Sequence, residues 1–381
     1  MRLALLHFLL LTASLSAQTV WLVPDNTSVD AVIALAAPGD TVQLATTHPP
    51  FTINKGVHVV GAPGGTSITY LQPPNLPGPG SIVVAVPAGQ RAVLRGVQVE
   101  DSYFQGSASE GFLELRSGQC EVSEVGVGGP IQVRGGNHVL QRITGPGTWL
   151  NQSGGICSVA DSTFHAVFRL SSPFGFGGVG VRQTGGLLLA SHVSLRGTDG
   201  SGPDSAKSAM LATGGAAYLT DCTLQGGNLG FAWFPPAAPA LVGNQLVHLA
   251  RTTLTDGVGA PPSSGYSVEP AMVGLSCQGV PTLGGSFTAV ATAGTSQQAL
   301  GMIGGFEAAP ATVASFVEPL FGSPGNLIPV LVAFPAPAAS VSATVNVPNV
   351  LALRGVSVWL QAAQIDGAQI RASVVVGGSI R

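Results

Sequence analysis

Five glycines constrain this chain more than any other feature. Gly118, Gly136, Gly155, Gly186 and Gly215 each close a Gly-Gly or Ser-Gly pair, with successive spacings of 18, 19, 31 and 29 residues. Four positions after each glycine stands an apolar residue: Val122, Leu140, Val159, Ala190 and Leu219. Six positions after it stands a polar or charged one: Glu124, Arg142, Asp161, His192 and Asp221. Val125, Ile143, Ser162, Val193 and Cys222 follow, and two residues later Val127, Gly145, Phe164, Leu195 and Leu224. The register extends to Leu94, Gly96, Val97 and Val99 on one side and to Leu249, Arg251, Thr252 and Leu254 on the other. Alternation of period 2, broken by a turn and repeated in phase, reads as strands whose like positions stack. The short spacings fit one coil of a solenoid, and the long ones a coil with about ten inserted residues. One coil cannot bury its own apolar face, so the repeat predicts a shared core along a stack of strands ~4.8 Å apart.

Composition agrees with strands and tight turns. Gly accounts for 53 residues, charged residues for only 9%, and the only lysines are Lys55 and Lys207. With a net charge of −3 and no basic cluster, nucleic-acid binding is not expected, because neutralising phosphates takes grouped Lys and Arg. Residues 1–17 read as a signal peptide: Arg2, an apolar run from Leu3 to Leu11, then small residues up to Ala17. This run is shorter than the ~20 residues a membrane helix needs. The protein is therefore expected to be secreted, extracellular or cell-surface, with no transmembrane segment after signal removal. Thr27-Ser-Val-Asp30 predicts a capping box for a short helix that carries Val29, Val32, Ile33 and Ala36 and stops at Pro38-Gly39. Such a helix would cover the open end of the stack.

The run Val32-Ile-Ala-Leu-Ala-Ala-Pro-Gly-Asp-Thr-Val-Gln-Leu44, followed by Pro50-Phe-Thr-Ile-Asn-Lys-Gly-Val-His-Val-Val-Gly61, resembles the entry segment of pectate-lyase-like right-handed parallel β-helix proteins. Val159-Ala-Asp-Ser-Thr-Phe164 and Leu219-Thr-Asp-Cys-Thr-Leu224 resemble their generic coil. The resemblance covers about residues 20–275 and speaks for fold rather than activity. Beyond residue 278 the coil register ends. Alternating segments begin at Leu283-Gly-Gly-Ser-Phe-Thr-Ala-Val290, and Asp366-Gly367 between two apolar runs signals a hairpin. The segment is similar to the β-sandwich tails of many exported bacterial proteins. The expected architecture is all-β: signal peptide 1–17, right-handed parallel β-helix with a short N-terminal capping helix over 18–278, and a smaller β-sandwich over 279–381.

Three clusters are candidates for chemistry. If the register holds, Glu124, Arg142, Asp161, His192, Asp221 and Arg251 form a row. Asp161 and Asp221 then lie ~9.6 Å apart with His192 between them. Carboxylates so spaced can act as acid and base around a water in inverting glycoside hydrolysis, with the histidine tuning one of them. Insertions at 168–178 and 197–208 would wall the groove. The alternative is a solvated turn row whose charges pair along the stack and add little stability. Asp199-Gly-Ser-Gly-Pro-Asp204 is the one calcium candidate, although a plain Gly/Pro loop also accounts for it. Cys120, His138 and Cys157 share a phase two residues after their glycines. A metal site there has only three ligands and is disfavoured against a core row, and the two cysteines, two coils apart, should not be bonded to each other. No metal or other cofactor is expected.

Catalytic signatures of pectate lyases and polygalacturonases are missing from the sequence, as are a Ser/His/Asp set, a phosphate loop and a dinucleotide fingerprint. The leading expectation is a non-catalytic, glycan- or protein-binding or structural surface module. Its partner would be an extracellular polysaccharide or a cell-envelope component. The rival is a divergent polysaccharide lyase or glycoside hydrolase using Asp161, His192 and Asp221, so the sequence leaves open whether the protein is an enzyme.

Overall fold

The computed structural model describes residues 18–381, apart from 64, 71–81, 102–112, 146, 167–177, 201–205, 229–236, 296–298, 307–309, 312 and 322–326. The signal-peptide reading at 1–17 lies outside the described residues. The described chain is built from β-strands, with one short α-helix and one 3-10 turn. Sixteen strands form a single parallel sheet that runs from Val20–Val23 through the coil strands to Ser264–Val268. Two four-stranded parallel sheets accompany it. One contains Thr66–Tyr70 and Val97–Asp101, the other Thr163–His165, Ser194–Arg196, Thr223–Gln225 and Thr253–Thr255.

Register follows the repeat. Val122 pairs with Leu94 and Leu140, Leu140 with Val159, Val159 with Ala190, and Ala190 with Leu219. All five expected core residues are at most 3% exposed and belong to one apolar cluster. Each fully buried Val or Leu in such a row contributes about 1.5–3 kcal/mol.

The paired glycines have a steric cause. Gly155 and Gly186 take φ of +70° and +78°. A Cβ on either would lie 2.4–2.5 Å from the carbonyl oxygen of the equivalent glycine one coil earlier. The corner therefore needs both a left-handed residue and backbone-to-backbone stacking, and only glycine supplies the two together. Two strands of each coil meet at this corner. In Val181–Ser191, Met210–Thr220 and Leu241–Ala250 they run through it without a break.

Helix Val29–Leu35 is present, but its cap differs from the expected one. Ser28 rather than Thr27 is the N-cap and accepts the Ala31 N–H at 3.3 Å. Asp30 does not close a capping box; its carboxylate accepts the Thr52 N–H at 2.8 Å and ties the helix to strand Thr52–Ile53. Asp40 fixes the entering strand by accepting from the Thr19 N–H, the Ala37 N–H and the Trp21 indole, each at 2.9 Å.

Strand sense changes between Ser264–Val268, the last parallel strand, and Gly274–Gln278, the first antiparallel one. Beyond it lie a three-stranded antiparallel sheet (Gly274–Gln278, Ser286–Thr292, Ser340–Asn346) and a four-stranded one (Ile328–Ala333, Leu300–Gly305, Ser357–Asp366, Gln369–Ser379). The hairpin expected at Asp366-Gly367 joins the last two strands, with Gly367 at φ +60° and Asp366 opposite Gln369. The two larger antiparallel sheets do not stand apart from the coils. Their core is shared with Val139, Ala160 and Leu189, which face outward from the parallel sheet.

Candidate functional site

The charged row exists, and its backbone explains it. Glu124, Arg142, Asp161, His192, Asp221 and Arg251 all have φ between +47° and +55°, and Gly96 occupies the same phase one coil earlier at +67°. Each of the first five donates its N–H to a carbonyl of the following coil: Gln141, Ala160, Ser191, Thr220 and Ala250, at 3.0–3.2 Å. The row is thus a ladder of left-handed corners. Asp and His tolerate such a corner better than most residues. Glu and Arg have no such preference, so their presence points to work done by the side chain.

That work is to hold the antiparallel sheets against the coils. The Asp161 carboxylate accepts the Cys277 N–H at 3.0 Å, and Ser191, beside His192, accepts the Leu275 N–H at 3.1 Å through its hydroxyl. Arg142 donates to the Gly279 carbonyl at 3.0 Å. Asp221 is gripped by Arg251 through two bonds of 2.7 and 2.9 Å, and Arg251 also donates to the carbonyls of Met272 and Ala293. Glu124 pairs with Arg142 at 3.5 Å and with Arg381. At Gly274 a Cβ would lie 1.8 Å from the Asp221 carboxylate, so the crossing strand fits only because it has no side chain there.

A second row works in the same way. Ser158, Gln141 and Glu121 accept the N–H groups of Val375, Gly377 and Ser379, each at 3.2 Å. Gly274–Gln278 and Gln369–Ser379 are the edge strands of their sheets, and an open edge carries unpaired N–H groups. Side chains of the coil rows satisfy them. In both series a step of two residues, ~6.7 Å, spans one coil of ~4.8 Å, so these strands are inclined by roughly 45° to the stack axis.

Burial sets the protonation of these groups. Asp161 is raised above the ordinary carboxylate range, chiefly by burial, against the Cys277 bond and the nearby His192. Glu121 is 1% exposed, and burial alone would raise it. Arg91, at 2.5 Å, and the two bonds from Ser379 outweigh that and hold it below the ordinary range. Arg91 in turn bonds Ser357 and lies 5.1 Å from the centre of the Trp359 ring. A further cluster joins Arg371 to Glu318 and Glu269, both at 2.9 Å, with His248 3.5 Å from Glu269 and stacked on Tyr218. Burial raises Glu318 despite its arginine.

Asp161, His192 and Asp221 therefore fall on adjacent coils, as the repeat predicts. All three are half-buried, and the two aspartates are bonded at the seam with the crossing strand. The insertions expected to wall a groove lie largely outside the described residues, as does Asp204 of the calcium candidate. Asp199 itself pairs with Arg196 at 2.8 Å and accepts the Asn228 N–H at 2.9 Å. Cys120, His138 and Cys157 stack in register inside the core, and all four cysteines are free and buried. Burial lowers His138 to about 4, and its Nε2 contacts the Gly135 carbonyl oxygen at 2.5 Å. Among the described residues, no group of three His, Cys, Asp or Glu side chains is placed to hold a metal ion, and no helix is long and apolar enough to cross a membrane.

The open polar surface lies on the other strand of each coil. Outward positions there stack as Glu114, Gln132, Asn151 and Arg182. With Arg134, Ser153 and Thr184, the last three of this row line a cleft of about 220 Å³. Arg134 pairs with Glu114 at 2.5 Å. Arg182 is exposed and has no carboxylate partner among the described residues. The repeat could have pointed to this row, since Gln132, Asn151 and Arg182 stand four residues before Gly136, Gly155 and Gly186.

No protein-family model, curated protein or solved structure matches the chain.

Proposed function

We propose that this protein is an exported, pectate-lyase-like right-handed parallel β-helix with a β-sandwich docked on its flank, and that it binds an extracellular glycan without cleaving it. Three parallel sheets stacked in coil register support the β-helix, and the leader-like residues 1–17 support export. One observation carries the binding reading: the stacked amide and guanidinium row Gln132–Asn151–Arg182 in an open cleft. Amides and arginines repeated at ~4.8 Å offer hydrogen bonds to successive hydroxyls and carboxylates of an extended saccharide chain. Arg182, which has no carboxylate partner among the described residues, favours an anionic polymer. Supporting the non-catalytic reading, the Asp161 and Asp221 carboxylates are already bonded within the fold.

Affinity electrophoresis of the full chain in gels of uronate-containing and neutral polysaccharides tests both halves. The wild type should be retarded by a uronate polymer. Arg182→Ala should lose about tenfold in affinity, as expected for one charge-assisted contact, and no reducing ends or unsaturated products should appear. Unchanged retardation in Arg182→Ala and Arg134→Ala would remove the cleft as the site. Product release abolished by Asp161→Ala would establish the hydrolase or lyase reading instead.

A further inference from the structure

The four-stranded antiparallel sheet ends on an open edge. Strand Ile328–Ala333 pairs with Leu300–Gly305 on one side and, among the described residues, with no strand on the other. An open edge presents a row of backbone donors and acceptors, which natural sheets blunt with charge or proline. Charge is absent here: from 319 to 353 the sequence holds no Asp, Glu, Lys, Arg or His. Two prolines remain. Pro329, beside a register shift, ends the regular edge on one side and Pro335 ends it on the other. Leu331, Val332, Ala333 and Phe334 lie open between them. The outer face of the sheet is apolar at the same place. Leu300, Met302 and Ala362 point into the shared core and are buried, so strand alternation turns Gly301, Val332 and Ala363 outward. Val332 and Ala363 flank Gly301 in register, and Phe334 and Ile365 stand two residues further on the same face. Val332 is 65% exposed, Phe334 78% and Ile365 42%. Large apolar side chains exposed together beside an open edge mark an interaction surface.

We propose that this edge is a contact between two copies of the chain, which pair their Ile328–Ala333 strands antiparallel about a two-fold axis at Val332. The segment is self-complementary in three respects. A charge-free strand meets its own copy with no like charges opposite one another, an arrangement that would destabilise the pair. Pro329 and Pro335 are equidistant from Val332, so they fall opposite each other and outside the paired residues, where their missing N–H groups cost nothing. Antiparallel pairing sets the two Val332 side chains directly opposite and puts Phe334 on the diagonal of the other copy's Val332, which buries the patch on both. A two-fold contact uses the same surface on each copy and closes, so association stops at the dimer. The two four-stranded sheets become one continuous sheet. The contact involves none of the cleft residues and does not depend on the glycan reading. The prolines keep the pairing short, and a small interface associates weakly.

The test is analytical ultracentrifugation of the full chain from about 1 to about 300 µM, the range suited to a small interface. The mass should rise from monomer to dimer and no further. Val332→Lys sets two like charges opposite each other and should keep the protein monomeric throughout, with an unchanged circular dichroism spectrum because the side chain is exposed. In case that variant fails to fold, cross-linking gives a second readout. Val332→Cys should form a disulfide-linked dimer under mild oxidation, whereas Val258→Cys, 81% exposed beyond the last coil strands, should not; the four native cysteines are buried. A monomer at every concentration, which leaves the edge to another partner or to none, overturns the proposal. So does a dimer that Val332→Lys leaves intact, or growth past the dimer into open polymers.

Discussion

Replacing Asp221 with Ala separates a structural seam from a solvated turn. Asp221 is 16% exposed and Arg251 21%. Two charge-assisted bonds of 2.7 and 2.9 Å join them, and the Arg251 guanidinium also reaches the carbonyls of Met272 and Ala293. Removing one partner of a fully buried pair costs about 3–5 kcal/mol because the other charge is stranded. With a fifth of each side chain still wet, about 2 kcal/mol is the appropriate scale. Ala at φ +54° adds up to about 1 kcal/mol, since it fits the left-handed region less well than Asp. The sum is ~3 kcal/mol, or a fall in Tm of about 4 °C for a chain of this size. Asp221→Asn keeps the corner and one acceptor and should lose about half as much. Arg251→Met combined with Asp221→Ala should be less damaging than the sum of the single changes, because neither charge is then left alone. Urea denaturation gives the energies, and hydrogen exchange should locate the loosening in 272–279 and 291–294. If Asp221→Ala stays within ~0.5 kcal/mol of wild type with unchanged exchange, the row behaves as an ordinary surface and the docking argument fails.

The corner glycines should be equally intolerant. Gly155→Ala, which combines a left-handed φ with a 2.4 Å approach to the Gly136 carbonyl, should cost ~3 kcal/mol or abolish soluble expression, and a wild-type melting curve would contradict the stacking geometry. Asp40 lies below the ordinary carboxylate range because its three hydrogen bonds outweigh burial, the largest influence, which acts to raise it. Its contribution is therefore present above the unfolded value of ~3.9 and is lost as pH falls through the lower folded value. Exchange protection in Val20–Val23 should hold at pH 5 and disappear only below about pH 4; loss already near pH 6 would assign it to another group. Burial pushes the Cys157 and Cys222 thiols up to about 12 and Cys277 to about 11, and raises Cys120 as well. Native protein at pH 8 should resist a thiol reagent while denatured protein titrates four groups, and rapid native labelling would show the core rows to be open.

The stacking of the coils was legible because two local constraints repeat together. The glycine corner needs a left-handed, side-chain-free residue, and period-2 alternation needs one dry face, so Val122, Leu140, Val159, Ala190 and Leu219 could be placed in register. The charged row was legible as a row but not in its use. Its partners are distant in sequence: Cys277 is 116 residues from Asp161, and Gly377 is 236 residues from Gln141. No local pattern encodes such a pairing. A weaker signal was available at Val139, Ile156, Leu187 and Leu189, apolar residues in the outward phase of strands whose inward phase was already apolar. Two dry faces mean that something covers the second one. The capping box was misplaced by one residue because Thr27 and Ser28 are both good caps, and the choice falls to tertiary contacts: Thr27 bonds the Pro24 carbonyl and Asp30 reaches Thr52.

Coverage of one flank restricts where a ligand can sit. Rows facing the antiparallel sheets spend their polar groups on that contact: Glu121, Gln141 and Ser158 on one edge strand, Asp161, Ser191 and Arg142 on the other. A large ligand could reach those atoms only by displacing the strands. In the outward row of the other strand of each coil, Gln132, Asn151 and Arg182 are tied to no such cover among the described residues and keep their alignment because the stacked backbone fixes it. A chain that stacks like positions produces such a row on every face it forms, so the rows do not differ in origin. They differ in what lies above them, and the face not covered by the docked sheets is the one on which the proposed glycan would lie.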